Sequence, residues 1–135
     1  KSGMLFAADI DLTGFGPWYG HRCSDIDDFI ASIRRCIEVE PKLIVSSHKG
    51  IITDDLPGRL KAYEGVIYRK EEEIINALRV PATVEELAAK QIIYGVNNAL
   101  DDFLQWCEKM GVAQHLRRLE KHNRVAGEEG RYWLI

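Results

Sequence analysis

Two short apolar runs, residues 4–8 (MLFAA) and 43–45 (LIV), each give way to polar residues, and one amphipathic stretch of helical period lies between them. The pattern predicts a strand over residues 4–8, a crossover helix and a second strand over residues 43–47. Such crossovers are right-handed almost without exception and leave the two strands parallel. Both strands must then end on the same edge of the sheet. Asp9 follows the first run and His48 closes the second, "LIVSSH". With neighbouring strands ~4.8 Å apart, the topology predicts Asp9 and His48 at one carboxyl-terminal rim. Buried carboxylates need a cation, a proton or hydrogen bonds to compensate them, and "AADIDL" sets Asp9 and Asp11 around a single isoleucine. An Asp and a His meeting there are plausible metal ligands; they also suit an ion pair, a cap or an ordinary loop ending. The spacing names no ion.

Between the strands, Ile26, Phe29, Ile30, Ile33 and Ile37 recur at helical spacing, which predicts a helix over residues 24–38 with one apolar face. Ser24 can cap it, Asp27 stands in capping-box position, and Arg34 and Arg35 suit its negative end. A long helix is expected over residues 55–78, with Asp55 as cap and Leu60, Tyr63, Ile67, Ile74 and Leu78 facing inward. Pro81 forbids its continuation, so a boundary is expected between residues 1–80 and 81–135. The tail opens on a capping box from Thr83 to Glu86, continues through helices expected near 97–110 and 112–122, and closes as a hairpin around Gly127 and Gly130. That order is the order of a winged helix, with Arg117, Arg118, Lys121 and Arg124 as candidate phosphate contacts. The tail carries seven Lys and Arg against eight Asp and Glu, a poor balance for binding a nucleic-acid backbone. A packing accessory is expected instead. His115 and His122, seven apart on one helix, are expected on its solvated face.

Over its 135 residues the chain is 46% apolar, enough to build a core, and its net charge of −3 gives no general attraction to nucleic acid or to an anionic membrane. Cys23, Cys36 and Cys107 are odd in number and lack metal-like spacing, as expected of reduced structural thiols in a cytoplasmic protein. No apolar run approaches the ~20 residues of a membrane span, and no signal-peptide pattern is present.

"GMLFAADIDL" resembles the strand of metallo-β-lactamase-fold hydrolases that ends in the aspartate bridging two metals, and "LIVSSHKG" resembles the strand that ends in their final histidine ligand. "IDDFIASIRRC" and "RLKAYEGVIYRKEEEIINAL" extend the likeness to glyoxalase-II-like and β-lactamase-like relatives that carry a carboxyl-terminal winged helix. The resemblance implies an α/β fold, the second half of an αββα sandwich over residues 1–80, followed by a small winged-helix-like α+β tail. It implies part of a hydrolase in which metal-activated water cleaves an ester, thioester, amide or phosphodiester of a small molecule. Asp9 would bridge the metals and His48 would be the last ligand. Tyr19 and His21, in the glycine-rich loop after Asp9, would line the substrate. The divalent metal would be zinc, with iron or manganese the other candidates, and two ions are implied for the whole protein. Ala8 stands where the family usually has glycine, and Lys49 separates His48 from Gly50. The H-x-H-x-D-H segment of the family is absent. The chain is therefore expected to be an inactive carboxyl-terminal fragment with an incomplete site. Its expected partner is the missing half of the domain or a second copy of the chain, and Asp11 is expected to be a loop hydrogen-bond acceptor. The opposed expectation is a winged-helix module that binds nucleic acid or protein without catalysis.

Overall fold

A computed structural model describes residues 3–96 and 99–135. The chain forms two compact units, one made of residues up to Trp18 with Asp27–Tyr68, the other of Tyr19–Ile26 with Arg69–Ile135.

In the first unit, strands β1 (Met4–Ala8), β2 (Leu43–Ser46) and β3 (Gly50–Ile52) form a sheet in that order. β1 and β2 are parallel, joined through helix α1 (Ile26–Glu38), and β3 returns antiparallel to β2. The third strand is not foreshadowed in the sequence: its apolar content is the pair Ile51 and Ile52, too short a run to announce a strand. Helix α2 (Leu56–Ala77) follows and gives its first half to this unit. The register sorts the sheet into two faces. Ile44 and Ile52, paired across β2 and β3, are buried with Ile30 and Ile33 of α1 and with Leu60, Tyr63 and Ile67 of α2. Met4, Phe6, Leu43, Val45 and Ile51 share the opposite face, where Phe6 is 74% and Ile51 70% exposed.

The second unit holds the rest of α2, strand β4 (Ala82–Thr83), helices α3 (Val84–Ala88) and α4 (Asp102–Lys121), and strands β5 (Val125–Glu128) and β6 (Arg131–Leu134), the sheet running β4-β6-β5. The capping box is formed: Glu86 N–H donates to Thr83 Oγ1 at 3.2 Å, and Thr83 N–H donates to the Glu86 carboxylate at 2.8 Å. Ile74, Leu78, Leu87, Val112, Leu116, Leu119 and Val125 make the core. In place of the two helices expected near 97–110 and 112–122, α4 is continuous. Gly111, between the two expected helices, lies inside it, where a Cβ would come within 2.9 Å of Ile93, so its smallness serves packing. Among the described residues two helices therefore separate Pro81 from the hairpin, not three; residues 97 and 98, within the first of the expected pair, lie outside the described residues.

Candidate functional site

The parallel register brings the two strand ends together. Phe6 pairs with Val45 and Ala8 with Ser46 across a one-residue irregularity, and Ser47 N–H donates to the Ala8 carbonyl at 3.1 Å. Asp9 and His48 therefore leave the sheet at one edge, one and two residues beyond that last pair. Ala8 takes φ +45°, the left-handed region that glycine enters most freely. The glycine that the sequence resemblance sets at this position would enter that region without strain. The Tyr63 hydroxyl, from α2, donates to the Asp9 carbonyl at 2.9 Å and pins the backbone there. Tyr63 is buried, as its inward position on the helix predicts; the polar end of a tyrosine is the signal for this second role. His48 sits in the turn of residues 47–49 between β2 and β3, which Lys49 N–H tightens by donating to Ser46 Oγ at 3.0 Å.

Asp11 has a larger part than expected. It is a loop acceptor, taking the Thr13 N–H on Oδ1 at 3.1 Å, but its Oδ2 also lies 2.6 Å from Nδ1 of His48. Its side chain is 10% exposed and that of His48 64%. Burial pushes the Asp11 carboxyl up, but hydrogen bonds from His48, Thr13 and Tyr63 outweigh burial and hold it below the ordinary range. Asp9 is exposed. Among the described residues no group of three or more His, Cys, Asp or Glu is disposed to hold a metal ion. Beside the turn, Leu12, Gly14, Lys49, Ile52, Asp54 and Arg59 line an open cleft. Gly16, at φ +84°, closes on α2 where a Cβ would fall 2.5 Å from Val66, which ties the loop to that helix.

In the second unit Tyr19 is buried, and its hydroxyl shares a 2.7 Å hydrogen bond with Nε2 of His115. His21 is exposed, and its carbonyl accepts from Gln114 Nε2 at 2.7 Å. Contrary to the expectation of a solvated face, His115 is 0% exposed. Val112 and Leu119, three before and four after it, are both buried, and this helical spacing is the signal that could have placed it inside. His122, at the C-cap of α4, is exposed. Nδ1 of His115 lies 3.7 Å from the Glu71 carboxylate, beyond hydrogen-bond reach, and burial pushes the imidazole below its ordinary pKa. Glu71 also takes Arg118 at 2.5 Å, which engages one of the four candidate phosphate contacts inside the unit. Burial raises the Glu71 carboxyl, but His115 and Arg118 outweigh it and hold it low. Burial brings Lys70 down to about 8, and Glu108 is pushed up although Ile93 and Tyr94 N–H groups each donate to it at 2.9 Å.

No protein-family model matches the chain, and no curated protein does. Among solved structures, it resembles the crystal structure of a metallo-beta-lactamase family protein from Thermus thermophilus, with a TM-score of 0.80 at 20% identity. The match takes in 99% of this chain and 42% of the other, so the chain spans about two fifths of that protein's length. The fold is thus that of part of a metallo-beta-lactamase family protein. Among the described residues no helix is long and apolar enough to cross a membrane.

Proposed function

We propose that the chain is the carboxyl-terminal part of a metal-dependent hydrolase, residues 1–80 being the second half of the hydrolase domain and 81–135 an accessory tail. One observation carries this reading: the β1–β2 register delivers Asp9 and His48 to the same sheet edge. Their donor set, a carboxylate and an imidazole backed by a second carboxylate, suits a divalent cation such as zinc, with iron or manganese as alternatives. Two ligands are fewer than the three protein ligands typical of a catalytic zinc, so the remaining ones would come from the rest of the fold. A bound cation would supply Lewis acidity toward a small-molecule ester, thioester, amide or phosphodiester and ready a water for attack. Asp9 and His48 would hold it, and Tyr63 would fix the Asp9 backbone; of the two substrate candidates His21 is the one kept, the Tyr19 hydroxyl being engaged by His115.

The apolar face of Met4, Phe6, Leu43, Val45 and Ile51 supports a partner. Contiguous apolar surface of this kind seldom stays bare on a soluble protein, and we propose that the rest of the fold covers it, or failing that a second copy of the chain. Elemental analysis after dialysis tests the metal reading. In a protein carrying the whole fold, wild type retains metal and Asp9→Asn loses it by tenfold or more; retention by Asp9→Asn overturns the assignment.

A further inference from the structure

We infer that Asp11 is a positioning residue for His48: its carboxylate decides which imidazole nitrogen carries the proton and leaves Nε2 as the lone-pair donor at the sheet rim. The purpose of this arrangement rests on the metal reading above, whereas the state of the ring is a property of this chain alone.

The inference follows from which partner is fixed. The Asp11 side chain is nearly enclosed, its Oδ1 is engaged by the Thr13 N–H, and its loop is closed by Ile10 N–H donating to the Ala7 carbonyl at 2.8 Å. The imidazole, largely exposed on its turn, is the free member of the pair. An ordinary aspartate is ionised at neutral pH and an ionised carboxylate can only accept. At 2.6 Å from Oδ2, Nδ1 must therefore donate. A neutral imidazole holds one proton, so Nε2 is left with its lone pair. Histidines that bind metals commonly donate their other ring N–H to a carboxylate, and loss of that carboxylate typically lowers metal affinity by ~10–100-fold. The sequence alone gives Asp11 no partner because 37 residues separate it from His48.

The test is the ring nitrogen spectrum of the 15N-labelled 135-residue chain, recorded at a pH where His48 is neutral. The expected result is a protonated Nδ1 and an unprotonated Nε2 in wild type. Asp11→Ala should shift His48 toward the Nε2–H form, and Asp11→Asn, whose amide oxygen can still accept, should preserve the Nδ1–H form. An Nε2–H ring in wild type, or an unchanged ring in a folded Asp11→Ala chain, overturns the inference. Should Asp11→Ala fail to fold, wild type and Asp11→Asn decide. Zinc chloride is then added to a labelled protein carrying the whole fold. A response at His48 Nε2 supports the metal reading, and the expected tautomer with no zinc response at Nε2 overturns that reading while leaving Asp11's hold on the ring in place.

Discussion

His48 and His115 each face a carboxylate, and they do so in opposite ways. At the sheet rim the carboxylate is buried and the imidazole exposed, with Asp11 and His48 2.6 Å apart. In the second unit both partners are enclosed, and His115 stands 3.7 Å from a Glu71 already bound by Arg118. A fixed carboxylate under a free ring presents the ring outward and leaves one nitrogen available to a ligand. A fully buried ring set between Tyr19 and Glu71 serves the packing of its unit. Both pairs join an imidazole to a carboxylate, so burial of the ring, not its identity, separates a candidate ligand from a structural histidine.

The largest expected difference between the pairs is in stability. Removing one partner of a buried charge pair typically costs ~3–5 kcal/mol, so Glu71→Ala, which takes the carboxylate away from the Arg118 guanidinium, should destabilise the chain by about 3 kcal/mol or more. Asp11→Ala takes an acceptor from an exposed imidazole, from Thr13 and from the Tyr63 hydroxyl, which keeps the Asp9 carbonyl, and should cost about 1 kcal/mol. Denaturant unfolding of the two variants compares them directly, and equal losses break the contrast.

A smaller effect is the dependence on pH. Burial depresses the folded pKa of His115, so as the pH falls through ~6.5 the unfolded chain takes up a proton that the folded chain refuses, and stability drops. The contribution is fully present above that range and is lost toward lower pH at a slope of up to about 1.4 kcal/mol per unit. Glu71, Lys70 and Arg118 also face the ring, so the wild-type profile must be compared with that of His115→Gln. The difference between the two curves should open as the pH falls below about 6.5; parallel curves would mean that His115 charges freely. Smallest of all, Ala8→Gly should stabilise the rim by roughly 0.5–1 kcal/mol, the left-handed strain relieved (~1–2 kcal/mol) exceeding the added chain entropy. A loss of stability on that change would show that the strand end is not held at positive φ.

Much of this is legible in the sequence, for reasons that can be named. The β-α-β unit follows from two apolar runs and one helical stripe, because the handedness of crossovers leaves a single arrangement. The inward positions of α2 and the Thr83–Glu86 box follow from local periodicity and hydrogen bonding, which the chain carries within a few residues. What stays hidden depends on distant partners. β3 is three residues long and exists because β2 offers it an edge. The Asp11–His48 pair needs the register of two strands and the shape of a turn before it can be seen. His115 is a different kind of miss: its apolar neighbours at helical spacing are in plain view, but a polar residue type outweighs position in such a reading.

The most direct test is the metal content of a protein carrying the whole fold, measured for His48→Ala and His115→Gln side by side after dialysis. If the exposed ring is the ligand and the enclosed one structural, His48→Ala should lose bound metal by tenfold or more while His115→Gln, still folded, retains the wild-type amount. Full retention by His48→Ala, or loss of metal from a folded His115→Gln, would contradict that division of roles.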